Sequence, residues 1–200
     1  YRLEVVQQPL RARMCGFGDR DRRPITPQPI VKLHVYDRDH NSVDPLEIDT
    51  TLMICQAQLL GTDGIAPLQV VQQPNISPDA LPPASMAISN QLGIRFDYAA
   101  HARNLIGSTV TMAVKARDTD DNWGIFFVFQ DISVRAEGEY TLHFTVIHGM
   151  HMMSRSPTPV IARITSNVFT VFSAKKFPGM IESTSLAQRL ANQGARIPIR

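Results

Sequence analysis

The sequence predicts an all-β protein, an antiparallel β-sandwich with one short C-terminal helix. Three observations carry that expectation. Seven short segments have the apolar patterning of strands, turn-forming residues separate them, and a single stretch near the end has helical spacing.

The elements follow in order. Leu3 to Gln7 is the first strand candidate, ended by Pro9. In the second, Val31, Leu33 and Val35 alternate with Lys32, His34 and Tyr36. Leu52 to Leu60, Thr109 to Ala116 and Gly124 to Gln130 come next, with Trp123 marking the turn into the last of these. Within it Ile125, Phe126, Phe127, Val128 and Phe129 are apolar on both faces, which fits a central strand or one whose outer face is covered by a partner. Tyr140 to Ile147 is the cleanest alternation, with Tyr140, Leu142, Phe144 and Val146 on one side. Asn167 to Phe172 closes the series. After the Phe177-Pro178-Gly179 turn, Thr184 caps a helix reaching Gln193, with Leu186 and Leu190 on one face and Gly194 as its stop. Between Gly61 and Leu105 the pattern breaks down, with five prolines between Pro67 and Pro83. That stretch reads as an insertion or long loop within one domain spanning 1–200.

Composition narrows the function. At 200 residues, 44% hydrophobic and 19% charged, the chain has the material for one core and is no disordered tail. No apolar run approaches the roughly 20 residues a membrane span requires, so no membrane partner is expected. Two cysteines, Cys15 and Cys55, are too few for a disulfide framework and suit a reducing intracellular setting. The net charge of +2 is unevenly spread. The first 23 residues sum to +3, Pro24 to Ser173 to −5, and the last 27 to +4. If the two basic ends meet in the fold, they form one positive face on an acidic body.

The richest stretch lies between Gln8 and Pro24, where Arg11, Arg13, Arg20, Arg22 and Arg23 surround Gly16 and Gly18. A glycine-hinged loop with forked guanidinium groups suits phosphate oxygens and guanine edges, each able to accept parallel hydrogen bonds. Asp19 and Asp21 offer the competing reading, an ion-paired surface loop. Cys15 among these arginines is a candidate for a lowered pKa, against the plainer reading of an inert thiol. His148 and His151 with Met150, Met152 and Met153 are read as a packed strand end rather than a soft-metal site. No zinc spacing, nucleophile elbow, paired-carboxylate pattern or HExxH occurs, so neither an enzyme nor a cofactor is expected.

The run from Tyr1 through Arg11-Ala12-Arg13-Met14-Cys15-Gly16 to Arg22-Arg23-Pro24-Ile25 closely resembles the opening of the fungal velvet domain. The runs from Gly124 to Arg135 and from Phe172 to Met180 resemble later velvet motifs, in the family's order. The mid-chain excursion is similar to that of the B-type members. The resemblance implies an immunoglobulin-like sandwich akin to the Rel homology region. It further implies a nuclear regulator, with a cytoplasmic pool, of fungal development, sporulation and secondary metabolism. Such a protein binds double-stranded DNA as a homodimer or as a heterodimer with other velvet proteins. Arg20, Arg22 and Arg23 then grip phosphate, Arg11 and Arg13 reach base edges or phosphate, and Lys175 and Lys176 support them from the C-terminal end. The rival expectation is a dimerisation module that buries apolar surface around Phe126 to Phe129 while its partner reads the DNA.

Overall fold

The computed structural model describes residues 1–17, 22–72, 101–148 and 159–199. Along them run strands β1 (Arg2–Gln7), β2 (Arg11–Arg13), β3 (Ile30–His34), β4 (Met53–Leu60), β5 (Val70–Gln72), β6 (His101–Arg103) and β7 (Leu105–Gly107). They continue as β8 (Val110–Met112), β9 (Val114–Arg117), β10 (Trp123–Val128), β11 (Ile132–Val134), β12 (Gly138–His148), β13 (Val160–Thr165) and β14 (Phe169–Phe172). Helix α1 (Ser185–Asn192) follows.

The strands form an all-β sandwich. One sheet has the order β1-β3-β10-β9, and the other β2-β14-β12-β4-β8 with β13 also on β12. Side chains at alternate positions of both sheets meet in one core. Leu3, Val5, Leu33, Ile125 and Phe127 come from the first sheet, and Cys55, Leu59, Leu142, Phe144, Val146 and Phe169 from the second. The alternation at Tyr140, Leu142, Phe144 and Val146 is buried as expected. β12 is long because it serves three neighbours: β14 along Gly138–Tyr140, β13 along His143–Ile147 and β4 along Thr141–His148.

The Ile125–Phe129 run is a central strand, and its outer face is covered by the chain's own helix instead of a partner. β10 lies between β3 and β9, and α1 covers its outer face. There Phe126, Ile30 and Ala116 pack with Ala187, Leu190 and Ile197. Thr184 caps the helix as expected, its hydroxyl accepting from the Ala187 amide at 3.1 Å. This corrects the dimer surface expected at Phe126 to Phe129. Phe126, Phe127 and Phe129 are at most 1% exposed, covered by the chain's own residues.

Other details differ from the sequence pattern. Thr109 to Ala116 is two strands that switch sheets at Ala113: β8 pairs β4, whereas β9 pairs β10. Leu52 sits at φ 63°, in the turn ahead of β4 and outside the strand. β2 and β14 run parallel, an exception to the antiparallel rule. β5 and β6 pair as a ribbon at the base of the expected excursion, whose residues 73–100 lie outside the described residues.

Candidate nucleic-acid interface

The parallel pair explains how the two basic ends meet. Arg11 lies opposite Thr170, Ala12 opposite Val171 and Arg13 opposite Phe172. The Met14 amide continues the pairing by donating to the Phe172 carbonyl at 2.8 Å. Parallel strands leave a sheet at the same end. β2 therefore runs into the arginine loop where β14 runs into the turn carrying Lys175 and Lys176, both exposed. Ala12 faces the core while Arg11 and Arg13, half-buried, take the other side of β2. Arg11 Nε is buried without a hydrogen-bond partner, so the stem of this side chain lies against the sheet and its outer guanidinium nitrogens are what it can offer.

The loop's entry is held from the other side by the segment after β11. The Cys15 amide donates to the Val134 carbonyl at 3.0 Å and the Gly16 amide to the Arg135 carbonyl at 3.1 Å. Gly16 adopts φ +59°, the left-handed conformation glycine takes without cost, which turns the chain out of the sheet. Arg135 returns two bonds: Nη1 donates to the Gly16 carbonyl at 2.7 Å and Nε to the Arg103 carbonyl at 3.0 Å. Its guanidinium lies 5.5 Å from the centre of the Phe17 ring, a cation–π distance. Arg135 stood inside a sequence motif with no role assigned to it. Its only prior signal was a charged residue directly following the buried Ile132-Ser133-Val134.

Arg22 is exposed and pairs with Asp131; the expected pairing with Asp19 or Asp21 falls on residues outside those described. Arg20, Asp19, Asp21 and Gly18 lie outside the described residues, as do Met150, His151, Met152 and Met153. Arg23 is exposed, and its backbone carbonyl accepts from the Ser133 hydroxyl at 2.9 Å. Asp131 is itself fixed by close backbone packing. A Cβ at Gly107, which sits at φ +97°, would come within 1.7 Å of the Asp131 carbonyl oxygen, so β7 needs glycine there. Burial pushes the Cys15 thiol above its ordinary value, outweighing Arg135 and Arg22, which pull it down. The lowered pKa considered for Cys15 is thus replaced by its opposite.

The basic C-terminal residues do not all converge here. Arg189 on α1 pairs with Asp121, which also takes Arg117 at 2.5 Å. Asp121 lies in the turn before β10 and Asp131 lies beyond its end, so about 20 Å of strand separates the two groups. Arg189 therefore lies at the far end of β10 from Asp131 and its partner Arg22.

Comparison with known proteins places this geometry in a family. The family model described as velvet factor matches residues 1–200. The B-type member of the velvet complex in Aspergillus flavus is 32% identical over 279 aligned positions, covering 99% of this chain and 77% of that protein. Its namesake in Emericella nidulans is 32% identical over 285 positions, covering 99% of this chain and 77% of that protein. Both aligned stretches exceed the 200 residues here, so each relative carries residues inside the match that have no counterpart in this chain.

Proposed function

The chain belongs to the velvet factor family, and on that premise we propose that it is a sequence-specific DNA-binding regulator of transcription. In this reading it governs fungal development, sporulation and secondary metabolism. It acts in the nucleus, with a cytoplasmic pool, as a homodimer or as a heterodimer with another velvet protein. The observation that supports it most is the parallel register of β2 on β14, by which the strands leading to the arginine loop and to Lys175 and Lys176 leave the sheet at the same end. A surface of exposed arginines and lysines at one end of a sandwich suits the phosphate backbone, whose neutralisation dominates affinity for duplex DNA. The Arg22–Asp131 pair does not oppose this. Its side chains are 35% and 43% exposed, and such a pair contributes about 0–1 kcal/mol, so Arg22 can exchange the carboxylate for a phosphate at little cost.

Duplex binding followed by fluorescence anisotropy across a salt series, alone and with a second velvet protein, tests the reading. Affinity is expected to fall with salt at a log-log slope of about 0.9 per phosphate contacted. Absence of salt-dependent binding in both mixtures would overturn it.

A second reading, a protein-interaction module whose partner supplies the DNA contacts, is favoured by one observation. Val110 and Met112, 48% and 58% exposed, lie on β8 at the edge of its sheet. Beside them opens a groove of about 470 Å³ also lined by Val114, Val128 and Ala195. Under this reading association persists at high salt, because an apolar contact responds little to ionic strength.

A further inference from the structure

We propose that Arg135 is a positioning residue for the arginine loop, locking it to the β5–β6 ribbon instead of contacting nucleic acid itself; the proposal rests on the DNA-binding reading above. The segment Val134–Ala136 is tied on both sides. Towards the loop, its carbonyls accept from the Cys15 and Gly16 amides, and the Arg135 guanidinium donates back to the Gly16 carbonyl. Towards the ribbon, the Arg135 amide donates to the Asn104 carbonyl at 3.0 Å. The Ala136 amide donates to Asn104 Oδ1 at 3.2 Å, and Arg135 Nε donates to the Arg103 carbonyl. Asn104, 1% exposed, donates from its backbone and side-chain amides to the Gln69 and Leu68 carbonyls, in the approach to the ribbon's other strand. One guanidinium thus bridges two backbone carbonyls from distant parts of the chain, with Phe17 against its face.

The geometry separates this role from a phosphate contact. A guanidinium offers two forked edges to an oxyanion, one formed by Nε with Nη2 and one by Nη1 with Nη2. Arg135 has placed Nε on one carbonyl, which breaks the Nε–Nη2 edge, and one of the two N–H groups of Nη1 on another, so two of its five donors already serve the protein's own backbone. Its charge is committed to holding Gly16, whose left-handed conformation turns the chain as it leaves β2. Lysine cannot substitute, because a compact ammonium does not reproduce a planar fork spanning two fixed carbonyls.

Arg135→Ala, Arg135→Lys and an Arg22→Ala/Arg23→Ala background, each measured for melting temperature, duplex affinity against salt and amide hydrogen exchange, test the proposal. Arg135→Ala is expected to bind about tenfold more weakly with the wild-type salt slope, and to exchange the Cys15 and Gly16 amides faster. Arg135→Lys is expected to behave likewise, and it carries the test should the alanine variant fail to fold. In the Arg22→Ala/Arg23→Ala background, Arg135→Ala should cost clearly less than the roughly tenfold it costs in wild type, since the loop then has two fewer cations to position. A slope reduced by about 0.9, rescue by lysine, or an undiminished loss in that background would instead make Arg135 a phosphate contact and overturn the proposal. Unchanged affinity or unchanged amide exchange in Arg135→Ala, with wild type binding DNA, overturns it too and leaves the functional reading standing. A wild type that binds no DNA overturns both.

Discussion

Gln193 brackets the backbone of Arg117. Its side-chain amide donates to the Arg117 carbonyl at 2.8 Å, and its Oε1 accepts from the Arg117 amide at 2.7 Å. β9 is an edge strand, and Gln193 gives one of its residues the pair of bonds a neighbouring strand would have supplied. The helix end is thereby fixed to the sheet, which keeps Leu190 and Ala187 over Phe126. This cover keeps the most apolar strand of the chain from becoming an exposed patch.

Removing that cover has a measurable cost. Leu190→Ala deletes a side chain that is 1% exposed, and truncations of this kind cost about 2–5 kcal/mol. Because α1 packs at the periphery and can settle, the loss is expected near the lower end, read by urea unfolding. Gln193→Ala should cost about 1–2 kcal/mol, the net worth of two hydrogen bonds on the backbone. Both variants should also bind a hydrophobic dye more strongly than wild type. A Leu190→Ala protein as stable as wild type would show that the helix does not hold the sheet.

The thiols give a second expected outcome. Burial raises the Cys15 thiol above its ordinary value despite Arg135 and Arg22, and raises Cys55 to about 12. At neutral pH neither side chain has appreciable thiolate, the reactive form. Alkylation of folded protein at pH 7.5 should therefore be slow at both. It should accelerate at Cys15 only as the pH rises beyond the range of an ordinary cysteine, and at Cys55 only on unfolding. Rapid modification of Cys15 at pH 7.5, located by peptide mapping, would contradict this and restore a redox-sensing role.

The parts of the fold legible in the sequence were those whose pattern is local. Tyr140, Leu142, Phe144 and Val146 point inward because a period of two does so in any strand, and Thr184 caps α1 because its hydroxyl reaches an amide three residues on. Relations that depend on distant pairing were not legible. No local pattern marks the switch of sheets at Ala113, the parallel register of Arg13 with Phe172, or Asp131 as the partner of Arg22. At the candidate site, the arginines were visible as residue types in a glycine-hinged run. Arg135 and Asn104, which hold that run in place, were not, since their partners are backbone carbonyls and amides 32 to 119 residues away.

Stability should depend on pH through His143. Burial first, and the positive charge of Arg163 second, hold its imidazole below its ordinary value. The unfolded chain then binds this proton more readily than the folded one, so stability falls as pH falls. The contribution is fully present above the unfolded value of about 6.5 and is lost as pH drops through the lower folded value. Melting temperature should decline from about pH 7.5 to pH 5, and His143→Gln should decline less. Parallel curves for the two proteins would remove His143 from the account.

The last prediction concerns the charge balance at the loop. Asp131 places a carboxylate against Arg22, and in low-salt solution that carboxylate also repels an approaching phosphate. Asp131→Asn keeps the backbone packing at Gly107 and removes only the charge, so it should tighten duplex binding several-fold while costing less than about 1 kcal/mol of stability. Because Arg22, on the proposed reading, already exchanges Asp131 for a phosphate in the wild-type complex, the salt slope should change by less than about 0.9. The opposite change, alanine at Arg20, Arg22 and Arg23 together, should weaken binding and flatten the slope by up to about 2.7. Folding should survive the triple change, because the hydrogen bond from Ser133 reaches the Arg23 backbone, not its side chain, and exposed substitutions cost about 0.5 kcal/mol or less. Affinity and slope that stay at wild-type values in a well-folded triple variant, together with no gain from Asp131→Asn, would move the DNA contacts off this loop altogether.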